Sequence, residues 1–223
     1  LDNDIILKLA TCDLFEDTLT TFNITANQVK ILDSFQYKFG KPIKRKRGNK
    51  DNKTPQYNIE KALEVTQYLT TLNQNNFDTA IYNIYTELLN YNQITNDKNN
   101  TIDQGEASLI SYVSYHNQRG SNNYLLTGDK RCLRALISSS FPDILQSLNG
   151  KVWCLEQLIF KNIEKFGFEY IKNKIIPVNS CDTALKVAFS SDKVTQENSI
   201  SALRNYLKNL REETGNLLSD YGE

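Results

Sequence analysis

Apolar residues recur along most of this chain at spacings of three and four, the period of a helix that buries one face. Ile5 to about Phe15 follows that pattern, and so does Ala26 to Phe39, where Val29, Leu32, Phe35 and Phe39 form one stripe. Further helices are predicted over Tyr57 to Leu72, Phe77 to Tyr91 and Gln104 to Tyr115, with the polar "NQITNDKNNT" as a loop. Beyond residue 120 the texture changes. "NYLLTGD" and "KVWCL" are short apolar runs that read as buried strands. Each leads into a helical stretch, Lys130 to Ser139 and about Glu156 to Lys174. Strands alternating with helices predict an α/β architecture with a parallel sheet. A last long helix is expected over Gln196 to Ser219, where Ile200, Leu203, Leu207, Leu210 and Leu217 share a face. That face either docks on the chain's own core or meets a partner or second copy.

A chain of 223 residues, 39% hydrophobic, is long enough for one sizeable core. Its 26 basic and 26 acidic residues balance, so the whole molecule is not polyanion-seeking. The basic charge is nevertheless clustered. "KFGKPIKRKRGNKDNK" holds eight basic residues, one acid, two glycines and a proline, the composition of an exposed loop. Lys44, Arg45, Lys46, Arg47 and Lys50 are the candidate phosphate contacts there; the alternative is a solvated loop without a ligand. Tyr37 and Tyr57 flank it as candidate base-stacking groups.

Other classes are disfavoured. No apolar run approaches the ~20 residues of a membrane span, and no signal-peptide pattern precedes Asp2. Cys12, Cys132, Cys154 and Cys181 are far apart and contain no CxxC, as expected of reduced thiols in a cytoplasmic protein. The single histidine, His116, read as a surface residue, cannot build a histidine metal cluster. Glycine-rich nucleotide loops are absent.

The informative residues are acids at helix starts. Asp2 and Asp4 precede the helix starting near Ile5, Glu106 lies in the first turn of "IDQGEASLISYV", and Asp129 follows the strand "YLLTG". Each is suited to capping, because a carboxylate satisfies the orphan N–H groups of a helix start. Asp103 and Glu106 have the spacing of a capping box. Acids beyond the carboxyl ends of parallel strands can also converge. Several facing carboxylates repel unless a cation lies among them, and oxygen donors without His or Cys suit Mg²⁺ or Mn²⁺.

"LDNDIILKLA" resembles the opening motif of PIN-domain nucleases, and "GEASLISYVSYHNQRGSNNYLLTGDKRCLRAL" resembles their later half, an acid at a helix start followed by a helix, a strand and a T-x-D turn. The resemblance implies a three-layer α/β/α sandwich around a central parallel sheet, helix-rich, with a C-terminal helical extension. Residues 1–178 would form the nuclease domain, with the basic loop at 38–53 and a helical insertion to about 95, and 179–223 the extension. It further implies metal-dependent hydrolysis of RNA, less often DNA. Asp2, Glu106 and Asp129 would be the catalytic acids, with Asp4 and Asp33 also offered to the Mg²⁺ or Mn²⁺ ion. Many small members are toxins restrained by an antitoxin and others act in RNA processing, so a protein partner is a further expectation.

Two rival readings remain open. "LDNDIIL" with "LLTGD" also resembles haloacid dehalogenase-type phosphatases, in which Asp2 would attack phosphate; Ile6 stands where that motif has Thr. The other reading is a catalytically inactive PIN-like module that binds RNA or protein. Arg131, two residues after Asp129 where many nucleases of this kind carry an acid, favours it.

Overall fold

The computed structural model describes residues 1–40, 57–95, 100–139 and 141–222. The opening apolar run folds as α1 (Asn3–Thr11) and, after a turn at Asp13 with φ +53°, α2 (Phe15–Thr21). Next come β1 (Lys30–Leu32) and α3 (Ser34–Phe39), then α4 (Ile59–Thr66), β2 (Thr70–Leu72), α5 (Thr79–Thr95) and α6 (Gln104–Gln118). The later half holds β3 (Leu125–Leu126), α7 (Lys130–Ser138), α8 (Pro142–Leu148), β4 (Val152–Trp153), α9 (Leu155–Phe166) and α10 (Phe168–Ile175). α11 (Thr183–Ala188) and α12 (Gln196–Thr214) end the chain.

The sandwich expected from the sequence is not what forms. Among the described residues helix accounts for 68%, and the strands make two separate two-stranded parallel pairs in place of a central sheet. β1 pairs with β2 in the register Lys30↔Thr70, and β3 pairs with β4 in the register Leu125↔Val152. Among the described residues the Leu1–Asp2 dipeptide bonds to both pairs. The Leu1 amine donates to Lys30 O at 2.9 Å and the Asp2 N–H to Leu126 O at 2.9 Å. The backbone then turns directly into α1, and two residues cannot carry a ladder from one pair to the other.

Two predicted helices also contain strands. In 26–39 the segment begins with a 3₁₀ turn, Ala26–Gln28, closed by a capping box between Thr25 and Gln28, and then extends as β1. Val29, Leu32 and Phe35 are buried as the stripe required, although only Phe35 is helical. Pairing with β2 overrides the local period there, and β2 itself ends the helix expected to reach Leu72. The expected helix 156–174 breaks at Gly167, whose φ of +87° ends α9 and starts α10.

One cluster of buried side chains runs from Ile5, Ile6 and Leu9 through Leu133, Leu136 and Leu158 to Leu185, Phe189 and Leu203, so residues on both sides of position 178 share it. The stripe of α12 is used inside the molecule. Leu203, Leu207 and Leu210 are buried, and α12 packs on α11, α9 and α7. Among the described residues no helix is long and apolar enough to cross a membrane.

Truncating Leu203, which is 0% exposed, should lower stability by about 2–5 kcal/mol. Thermal unfolding of Leu203→Ala tests this. An unchanged Tm with a changed oligomeric state would instead make the stripe an intermolecular surface.

Candidate functional site

Three helix starts meet at one cavity of about 340 Å³. Its walls include Asp2, Asn3 and Asp4 from the start of α1, Asp103, Gly105 and Glu106 from the start of α6, and Asp129 from the start of α7; Ser34, Lys38 and Phe39 of α3 also line it. Four of the five acids proposed as metal ligands are therefore together. Asp33 is not: it is exposed, and its carboxylate accepts from Asn73 Nδ2 at 2.6 Å. Lys44, Arg45, Lys46, Arg47 and Lys50 lie outside the described residues.

The question of cap or site has a different answer at each acid. Asp2 is the N-cap residue of α1 in extended conformation, yet its side chain makes no capping bond. Its Oδ2 accepts from the Thr127 hydroxyl at 3.1 Å instead, tying α1 to the turn after β3. Asp129 does cap α7, accepting from the N–H groups of Arg131 at 2.8 Å and Cys132 at 3.3 Å. Asp103 caps α6, and Glu106 closes the capping box by accepting from the Asp103 N–H at 2.7 Å. Asp4, in the first turn of α1, pairs with Lys8 at 2.6 Å and accepts from the Tyr57 hydroxyl at 3.4 Å.

Glycines allow this close approach. A Cβ at Gly128 would lie 2.9 Å from Asp4 Oδ2, and one at Gly105 would lie 2.7 Å from Leu32 Cδ1 and 3.2 Å from Asp103 Oδ1.

Crowding shifts the protonation of the acids. Burial, reinforced by Asp103 and Asp129, pushes the Glu106 carboxyl up to about 9 against the lowering effect of the Asp103 N–H. Glu106 thus carries a proton at neutral pH. Burial also raises Asp2, with Thr127 opposing and Asp4 adding to the rise. Burial acts upward on Asp129 as well, but the Arg131 guanidinium and the helix N–H groups outweigh it and hold that carboxyl below its usual range. Arg131 grips Asp129 from the side, 2.6 Å from Oδ2 and 3.3 Å from Oδ1. The buried Cys132 thiol registers the same field: burial raises it first, then the charges of Glu106, Asp129, Asp2 and Asp103.

The donors match a hard divalent cation in type. All are oxygens, and Asn3 Oδ1 is a buried atom without a hydrogen-bond partner in a residue that lines the cavity. Their present spacing is not that of a ligand set. Among the described residues no three His, Cys, Asp or Glu side chains stand close enough to hold a metal ion together. Asp129 must release Arg131, and Glu106 its proton, before both can serve. As it stands, the arrangement places Glu106, whose carboxyl is raised, beside Asp129, whose carboxyl is lowered, the kind of divergence that general acid–base chemistry uses.

Asn3, Asp103, Ser34 and Lys38 were not singled out in the sequence as cavity residues. Asp103 was visible only as the partner of Glu106 in a capping box and Lys38 only as the first residue of the basic run, and nothing local marks Asn3 or Ser34. His116 is half-buried against Tyr112 and Tyr115, with ring centroids 4.4 and 5.2 Å away. Ile6, at the Thr position of the phosphatase motif, is buried in the core. No family model, curated protein or solved structure matches this chain.

Glu106 generates a pH prediction. A folded-state pKa near 9, above the ordinary glutamate value, means the native protein holds a proton that the unfolded chain releases. Stability should therefore fall as pH rises from about 4.5 to about 9. Glu106→Gln should flatten that fall in metal-free buffer, as read from Tm between pH 5 and 9. A fall of the same steepness in the variant would assign the loss to other groups.

Proposed function

We propose that this chain is a metal-dependent ribonuclease that hydrolyses phosphodiester bonds with Mg²⁺ or Mn²⁺. The supporting observation is the meeting of Asp2, Glu106 and Asp129, from three helix starts far apart in sequence, at one cavity that Asp4 and the orphaned Asn3 oxygen also line. In this reading Asp2, Glu106, Asp129 and Asp4 hold the ion. When bound, it supplies the positive charge that offsets the negative charge developing on the phosphodiester. The chain's own groups do the rest. Thr127 orients Asp2, the cap of α7 orients Asp129, and the Asp103 N–H holds the Glu106 carboxyl, which would join the ligand set on losing its proton. Lys38, on the same cavity, is suited to a substrate phosphate. The free, buried cysteines suit the reducing cytoplasm, where RNA is at hand.

One observation favours the inactive RNA- or protein-binding module. Arg131 lies 2.6 Å from Asp129, where it competes with a divalent ion for the same oxygens. The two readings separate in a cleavage assay. Mixed-sequence single-stranded RNA, and the same sequence as DNA, is incubated with Mn²⁺ or Mg²⁺ and wild-type protein, Asp129→Asn or Arg131→Ala. The expected result is ion-dependent cleavage of RNA by wild type, loss to background in Asp129→Asn, and retained or increased cleavage in Arg131→Ala. RNA retention without cleavage or ion binding in all three proteins would support the inactive module.

A further inference from the structure

Two of the four free cysteines face each other across the fold. Cys12 is the C-terminal capping residue of α1, and Cys181 is the last residue of the 3₁₀ turn Ile176–Cys181 that leads into α11. Their Sγ atoms are 3.9 Å apart, although 169 residues separate them in sequence. Both side chains are shielded, at 2% and 1% exposure. Each nevertheless sits at the end of an element and beside an exposed residue: Asp13 follows Cys12, and Ser180 precedes Cys181. Local opening of such element ends admits a small oxidant while the core stays folded. The pair lies outside the acid cavity.

Contacts on either side hold the two sulfurs in register. Lys8, one turn before Cys12, places its Nζ 2.8 Å from Oδ2 of Asp182, the residue after Cys181. Asp182 is itself fixed, since its Oδ1 caps α11 by accepting from Ala184 N at 2.7 Å and Leu185 N at 3.2 Å. Lys174 Nζ donates at 2.7 Å to Asp13 O, just beyond Cys12. A disulfide holds its sulfurs about 2 Å apart, so the pair has to close by only roughly 2 Å. The other two cysteines are placed differently. Cys132 lies within α7 and Cys154 caps α9, donating to Gln157 Oε1 at 3.6 Å, and burial raises both thiols well above their usual range.

We propose that Cys12 and Cys181 are a peroxide-sensitive dithiol whose disulfide ties the end of α1 to the turn before α11. Hydrogen peroxide is the oxidant. The Cys181 thiolate attacks one peroxide oxygen and the O–O bond breaks; the second oxygen leaves as water with the proton that Cys181 gave up. Cys181 is then a sulfenic acid. Cys12 Sγ attacks that sulfur, the S–O bond breaks, and the departing hydroxide takes the Cys12 proton as a second water. The two thiols lose two electrons and two protons, and the peroxide receives them. The surroundings favour Cys181 as the first to react. The Cys12 thiol hydrogen-bonded to it draws the Cys181 thiol below its ordinary range, with Lys8 helping and burial and Asp182 opposing. The same bond, with burial, raises Cys12. A link between residues 12 and 181 closes most of the chain into one loop, which restricts the unfolded state far more than the folded one.

The test treats the full wild-type chain, reduced and desalted, with hydrogen peroxide at neutral pH under native conditions. The expected product is a monomer lighter by two hydrogens, in which peptide mapping joins Cys12 to Cys181 and dithiothreitol restores the original mass. Cys132 and Cys154 should stay reduced and become open to alkylation only on unfolding. Tm measured without reductant should rise by roughly 5–15 °C on oxidation and return with dithiothreitol. In Cys12→Ser no intramolecular disulfide should form, and Cys181 should be trapped by dimedone as the sulfenic acid. Several results overturn the proposal: both thiols still free after treatment, a crosslink through Cys132 or Cys154, disulfide-linked dimers in place of the monomer, or a Cys12–Cys181 bond that leaves Tm unchanged or lower. If Cys12→Ser fails to fold, the wild-type peptide map and Tm decide alone, because neither needs a substitution.

Discussion

Carboxylates crowded beside one cavity repel one another, and much of the surrounding structure answers that repulsion. Asp2, Asp4, Asp103, Glu106 and Asp129 all line the same space. Four of the five receive different compensations. Glu106 takes a proton, Asp129 takes Arg131 and two helix N–H groups, Asp4 takes Lys8, and Asp2 takes the Thr127 hydroxyl. The positive ends of α1, α6 and α7 face the same region and favour negative charge there. Gly105 and Gly128 are part of the same answer, since a Cβ at either would collide with Leu32 or with the Asp4 carboxylate.

The fold makes such crowding possible by bringing helix starts together with very little sheet. Two parallel strand pairs of two and three residues fix where α3 and α7 begin, and the Leu1–Asp2 dipeptide bonds to both pairs before α1 starts. A core continuous from α1 to α12 fixes the rest. Buried leucines hold α12 against α11, and the first residue before α11 is Asp182, the remote partner of Lys8. Packing at one end of the chain therefore reaches the charge balance at the other.

Capping does not use up a carboxylate here. Asp129 caps α7 with Oδ1 and meets Arg131 chiefly through Oδ2, so the cap orients a carboxylate whose second oxygen faces a cation. Asp182 works the same way, with Oδ1 on α11 and Oδ2 on Lys8. A capping carboxylate is held in a fixed rotamer by the backbone N–H groups, which sets where its second oxygen points. Asp2 is the exception. It occupies the capping position without the capping bond, which leaves its carboxylate to the hydroxyl of a distant turn.

The sequence by itself determined what depends on near neighbours. The period of three and four marked most helices, the capping box at Asp103 and Glu106 formed as its spacing required, and the α12 leucines were buried as a stripe. Burial was legible even where the element was not: Val29 and Leu32 lie in the core although the segment is a turn and a strand. The helix-start acids Asp2, Asp4, Glu106 and Asp129 could also be chosen from local pattern. Tertiary structure decided everything that rests on contacts remote in sequence. Pairing of Lys30–Leu32 with Thr70–Leu72 turned part of each of two predicted helices into a strand, because a parallel ladder answers to its partner and not to its own period. The separation of the two strand pairs removed the expected central sheet. Asp33 was drawn away to Asn73, while Asn3 and Asp103 were placed on the cavity and Asp182 on Lys8. No local signal encodes such placements; they follow from how the helices pack, which sets the distance and burial on which the strength of each charge interaction depends.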